Sequence, residues 1–129
     1  LKDRKINVYK IVGKYYRYVY QLNRDSYVKE YELRIEKLKS HDFAIYGAGH
    51  IGKKIYRQLL QKGLRPQCFL VTKKEDVKEL YGVPVIELNE WTEKGMEIII
   101  GVSIEIQCEL IDNLIQSKCM NYFRYPYQN

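Results

Sequence analysis

The chain has 129 residues, 46% hydrophobic and 29% charged with only three prolines, a composition that fits one ordered globular domain and excludes a disordered or low-complexity segment. No apolar run approaches the roughly 20 residues that cross a bilayer, and no signal-peptide segment is evident, so a cytoplasmic chain is expected. The net charge of +6 is unevenly placed: residues 1–40 hold 11 Lys+Arg against 5 Asp+Glu, while residues 41–129 hold 11 of each.

That shift, together with seven of the 13 tyrosines in the first 40 positions, divides the chain into a basic, Tyr-rich helical extension (1–40) and a main domain (41–129). In residues 5–22, Val8, Ile11, Val12, Tyr15, Tyr16, Val19 and Leu22 recur at helical spacing. Asn23-Arg24-Asp25-Ser26 interrupts the pattern with cap and turn residues. A second stretch follows with Tyr27, Val28, Tyr31, Ile35 and Leu38 on one side and a Glu30–Arg34 pair on the other, giving two helices or one bent one.

Phe43-Ala44-Ile45-Tyr46 reads as a buried parallel strand ending at glycine. An amphipathic helix follows, with Ile51, Ile55 and Leu59 inward and Gly63 closing it. Cys68–Val71 is a second strand. Gly82-Val83-Pro84-Val85-Ile86 turns into a third, which its proline places at an edge. The run from Met96 to Val102 is a central fourth strand, and Ser103 caps a helix from Ile104 to Lys118 with Ile106, Leu110, Leu114 and Ile115 inward. Tyr122–Tyr125 is the last strand. Alternating strands and helices predict an α/β fold: a three-layer Rossmann-like parallel sheet of about five strands in the order 3-2-1-4-5, preceded by the helical extension.

Gly47-Ala48-Gly49-His50-Ile51-Gly52 is a G-x-G-x-x-G turn between strand and helix. Gly47 permits the sharp exit, Gly49 lets the backbone approach a pyrophosphate, Gly52 allows close helix–strand packing, and the helix N–H groups favour an anion. In the predicted strand order Gly101, Val102 and Ser103 lie beside this turn, Ser103 either capping its helix or facing a ligand. After the second strand, Thr72 and Lys73 stand where a dinucleotide site places an acidic residue, with Glu75 and Asp76 following later. His50 either touches a phosphate or is a surface residue without chemistry. No Tyr-x-x-x-Lys pair, G-x-S-x-G elbow or P-loop lysine occurs, so catalysis is expected outside this domain. Cys68, Cys108 and Cys119 are odd in number and lack metal-ligand spacing, and His41 and His50 are the only histidines, which predicts reduced structural thiols and no metal site.

Phe43 through Tyr56, Cys68–Val71, Tyr81-Gly-Val-Pro-Val-Ile-Glu-Leu88 and Glu97–Ser103 together resemble a small Rossmann-like domain of bacterial surface-polysaccharide proteins. That domain occurs fused to glycosyltransferases and other sugar-nucleotide enzymes, and is similar to the N-terminal domain of sugar-nucleotide acetyltransferases. The resemblance covers about residues 42–125 and implies NAD(P) or a nucleotide-sugar as ligand, with Gly47, Gly49 and Gly52 matching the phosphate loop; Thr72 departs from the aspartate common there. The expected role is thus the nucleotide-binding part of a larger capsule or polysaccharide enzyme, the chain itself opening on Leu1 like a piece of a longer polypeptide. The alternatives are an NAD(P)-dependent epimerase, dehydratase or oxidoreductase domain, and a ligand-free scaffold. For residues 1–40, homo-oligomerisation through the tyrosine face is expected, with peripheral contact to an anionic membrane as a second use; no nucleic-acid motif is present.

Overall fold

The computed structural model describes residues 2–127, with side chains from residue 12 onward, so Val8 and Ile11 as side chains, and the C-terminal Gln128 and Asn129, lie outside the described residues. Three helices, α1 (Lys2–Lys37), α2 (His50–Leu60) and α3 (Ile104–Gln116), accompany six strands: β1 (Phe43–Tyr46), β2 (Cys68–Val71), β3 (Glu79–Leu80), β4 (Val83–Glu87), β5 (Glu97–Ile100) and β6 (Tyr122–Arg124). The sheet order is β3-β4-β2-β1-β5-β6, parallel throughout except for β3.

This differs from the five-strand, all-parallel expectation. The chain between Glu79 and Val83 makes a two-residue hairpin, with Tyr81 (φ 55°) and Gly82 (φ 76°) both at positive φ, so β3 folds back antiparallel on β4. The Tyr81 ring stacks on Tyr56 at 4.5 Å, which holds the strained tyrosine in place. Pro84 therefore pairs with Glu79 instead of lying on an open edge.

Alternation along the strands sends side chains to two faces. Phe43, Ile45, Phe69, Val85, Ile99 and Phe123 meet the second half of α1 (Tyr31, Ile35) and α2 (Ile55, Tyr56, Leu59). Ala44, Tyr46, Cys68, Leu70, Ile98 and Ile100 meet α3 (Leu110, Leu114) together with Leu88 and Trp91. Ile98, Ile99 and Ile100 have no exposed surface, and each contributes about 1.5–3 kcal/mol of burial. The inward face of α3 is shifted from expectation: Ile104, Gln107, Leu110 and Leu114 are buried, whereas Ile106 and Ile115 are nearly half exposed.

The N-terminal extension is one bent helix, with non-helical angles at Asn23 (φ −121°, ψ 17°), whose amide donates to the Val19 carbonyl. Its first half packs on α3, where Arg17 pairs with Glu105 and Gly13 approaches the Glu105 carbonyl. Tyr16 accepts two N–H bonds from Arg124 (2.9 and 2.7 Å), and the Tyr20 hydroxyl donates to the Pro126 carbonyl. Its second half lies on the opposite face, where Tyr31 contacts the rings of Phe123, Tyr125 and Tyr127, and Arg34 pairs with Glu97 at 2.7 Å instead of with Glu30. Helix α1 thus passes over the β6 side of the sheet and covers its edge.

Candidate functional site

The strand order reverses at β1, which has β2 on one side and β5 on the other. A crevice is expected outside the carboxyl ends at such a reversal. The turn after β1 fills it: Gly47 N–H donates to Leu70 O and Gly101 N–H to Tyr46 O, both at 2.9 Å, which ties the loops after β1 and β5 to their neighbours. Gly101 and Val102 stand beside Gly47. A Cβ on Gly47 (φ +126°) would lie 2.6 Å from Gly101 O and 3.1 Å from Val102 Cγ1. A Cβ on Gly52 would overlap the Gly47 carbonyl oxygen. Packing alone therefore requires glycine at both positions.

Gly49 is different. Its φ of −91° suits any residue, and a Cβ there would meet nothing within 4 Å. It is the N-cap of α2, and no side chain caps the helix and no acidic residue lies in its first turn. The amide groups of the first turn thus carry a partial positive charge that no side-chain cap and no acidic residue offsets.

Two hollows flank the turn. The first, about 400 Å³, runs from Ala48, Gly49 and Lys53 toward the β2–β4 side, with Lys73 and Glu75 on its rim and Val71, Val77, Leu80 and Val85 as an apolar wall. The second, about 270 Å³, lies on the β5–β6 side and is lined by His50, Ile51, Lys54, Ser103, Glu105, Tyr125 and Tyr127, with Arg17 reaching in from α1. Larger hollows occur between α1 and α2 and at the amino end of the sheet near His41 and Asp42, but neither meets the glycine turn.

The sequence-expected residues are thus divided. Ala48, Gly49 and Lys73 face the first hollow, and His50, Ile51 and Ser103 the second. Ser103 occupies the N-cap position of α3, but its hydroxyl makes no capping hydrogen bond; only its carbonyl accepts, from Ile106 and Gln107. Thr72 lines neither: its hydroxyl lies 2.6 Å from that of Tyr46 and 3.5 Å from the Asn113 amide, on the α3 side. Glu75 takes up the rim position instead, in a loop anchored by the Lys74 N–H to the Glu87 carboxylate (3.0 Å). Lys53 and the hydrophobic wall were likewise not anticipated, although Lys53 follows the turn by one residue.

Compared with known proteins, the chain matches no family model, no curated protein and no solved structure. Among the described residues no three His, Cys, Asp or Glu side chains gather in a way that could hold a metal ion. The thiols stand apart from the turn. Burial pushes Cys68 up to about 12 and raises Cys119, so both stay protonated near neutral pH. Burial also raises the Tyr125 hydroxyl at the second hollow, against the opposing effect of the hydrogen bond it donates to Gln58 Oε1, and leaves it a neutral donor.

Proposed function

We propose that the chain binds a nucleoside diphosphate compound, NAD(P) or a nucleotide-sugar, across the Gly47–Gly52 turn, as the binding domain of a larger bacterial surface-polysaccharide enzyme such as a glycosyltransferase. The observation that carries this reading is Gly49, a glycine that neither backbone angle nor packing demands, set at an uncapped helix N-terminus between two hollows. The pyrophosphate would lie against the amides of residues 49–52. The base would rest on the wall of Val71, Val77, Leu80 and Val85, and Glu75 would accept from the ribose hydroxyls. The group on the second phosphate would enter the hollow with His50 and Ser103, where Ser103 offers a hydroxyl not spent on a cap.

The competing reading is a ligand-free scaffold, favoured by the fact that Gly47, Gly52 and Gly101 are all accounted for by mutual contact. Thermal shift separates the two. A nucleotide ligand at a hundred times its Kd should stabilise the fold by about 2.7 kcal/mol and raise Tm by several degrees. The panel is NADH, NADPH, and UDP- and CDP-hexoses. The variant Gly49→Val fills the open space and should abolish the shift while costing the free protein no more than about 1 kcal/mol. Silence across the panel, or a shift untouched by Gly49→Val, sinks the proposal.

A further inference from the structure

We propose that the first half of α1 rests on an anionic lipid surface through Val12, Tyr15, Tyr18 and Leu22. At about 100° per residue these four share an arc of about 120°. Gly13, Tyr16 and Tyr20, which meet Glu105, Arg124 and Pro126, stand on the other side of the helix. The attachment to α3 and β6 therefore uses one face and leaves the aromatic stripe outward: Tyr15, Tyr18 and Leu22 are 67%, 58% and 68% exposed.

Charge selects the occupant. Between Asp3 and Asp25 the sequence carries Arg4, Lys5, Lys10, Lys14, Arg17 and Arg24 and no acidic residue. Of these cations Arg17 is engaged by Glu105, while Lys14 and Arg24 are exposed. A second copy docking on the same stripe would bring two such basic segments together and pay for it in repulsion, whereas an anionic surface attracts the exposed Lys14 and Arg24. Tyrosine suits that setting because its ring enters the headgroup boundary while its hydroxyl stays hydrated. Contact is at the surface only, since no helix among the described residues is long and apolar enough to cross a membrane.

Cosedimentation of the 129-residue chain with vesicles tests this. Binding is expected to phosphatidylcholine vesicles holding about 30 mol% phosphatidylglycerol, not to phosphatidylcholine alone, and to fade at about 0.5 M salt. The combined variant Tyr15→Ser, Tyr18→Ser, Leu22→Ser should weaken binding by about tenfold or more. Its melting temperature should stay unchanged, because these side chains touch little of the fold. Lys14→Gln with Arg24→Gln should weaken it less, and Ile106→Ser with Ile115→Ser, an exposed pair on α3, not at all. No binding, equal binding to neutral vesicles, or full binding by the triple variant overturns the proposal. A salt-resistant dimer that the triple variant dissolves would overturn it too and assign the stripe to a second copy.

Discussion

Gly49 and Gly52 lie three residues apart in one turn, yet on the proposed function their substitutions should separate binding from folding. Any side chain at Gly52 must displace the Gly47 carbonyl, and with it the contact of Gly47 with Gly101. Gly52→Ala should therefore lose about 3 kcal/mol or more in urea unfolding, a cost of overpacking backbone against backbone. If it melts like the parent, the Gly47 carbonyl does not press on the Gly52 Cα. At the rim, Glu75→Gln keeps shape and removes charge. Affinity for the nucleotide that raises Tm should fall by about tenfold, the value of a hydrogen bond to a charged group, with Tm of the free protein unmoved. Equal affinity would remove Glu75 from the ribose. Gly52 was legible because its clash with the Gly47 carbonyl is local to the turn, whereas the contact of Gly47 with Gly101 joins loops far apart in the chain. Thr72 bonds instead to Tyr46 and Asn113, which come from a strand and a helix whose approach no local pattern reveals.

At the scale of elements, strand positions β1 and β2 follow directly from short apolar runs, and the bend at Asn23 from its cap residues. The face that α1 buries could not be read the same way. Its aromatic residues surround the helix, so periodicity alone does not say which tyrosines meet the core. Gly13 marks the buried face, a Cβ there lying 2.6 Å from the Glu105 carbonyl oxygen of α3. Two effects of Gly13→Ala oppose each other. Helix propensity favours alanine by about 1 kcal/mol, and the contact forbids it. The contact should win, with a net loss of about 1–3 kcal/mol and faster amide exchange in residues 12–22 than in the sheet. A stabilised variant would mean that α1 is free to lift. The hairpin at Tyr81-Gly82 was hidden for a related reason: a tyrosine stands at positive φ there, with its ring stacked on Tyr56 from a distant helix. Likewise α3 buries Gln107, whose amide donates to the carbonyls of Val102 (3.1 Å) and Tyr125 (3.0 Å), a polar bridge that hydrophobic periodicity cannot anticipate.

At the scale of the molecule, the groups displaced from their ordinary titration among the described residues are weak acids buried in their neutral form. Burial raises Cys68 to about 12 and raises Cys119, Tyr16, Tyr31 and Tyr125 above their usual values of 9.0 and 10.0. For Tyr16 the burial outweighs the nearby Arg124 guanidinium, which pulls the other way. In each case the folded chain holds its proton more tightly than the unfolded chain. The stabilisation is fully present below the unfolded value and is lost as pH rises through the window up to the folded one. For the thiols that window opens near pH 9 and for the tyrosines near pH 10. Each group that ionises only on unfolding lowers stability by about 1.4 kcal/mol per pH unit, so several acting together produce a steep alkaline decline. Calorimetry under reducing conditions should show a Tm flat from about pH 7 to 8.5 and falling beyond about pH 9. Tyr31→Phe keeps the ring that contacts Phe123, Tyr125 and Tyr127 and removes the ionisable hydroxyl, so it should flatten the decline above about pH 10. Cys68→Ala should act earlier, near pH 9, at the cost of a small cavity at neutral pH. A melting temperature indifferent to pH through that range, or a Tyr31→Phe curve parallel to the parent, would show that these side chains reach solvent and that the aromatic seam between α1 and the sheet is open.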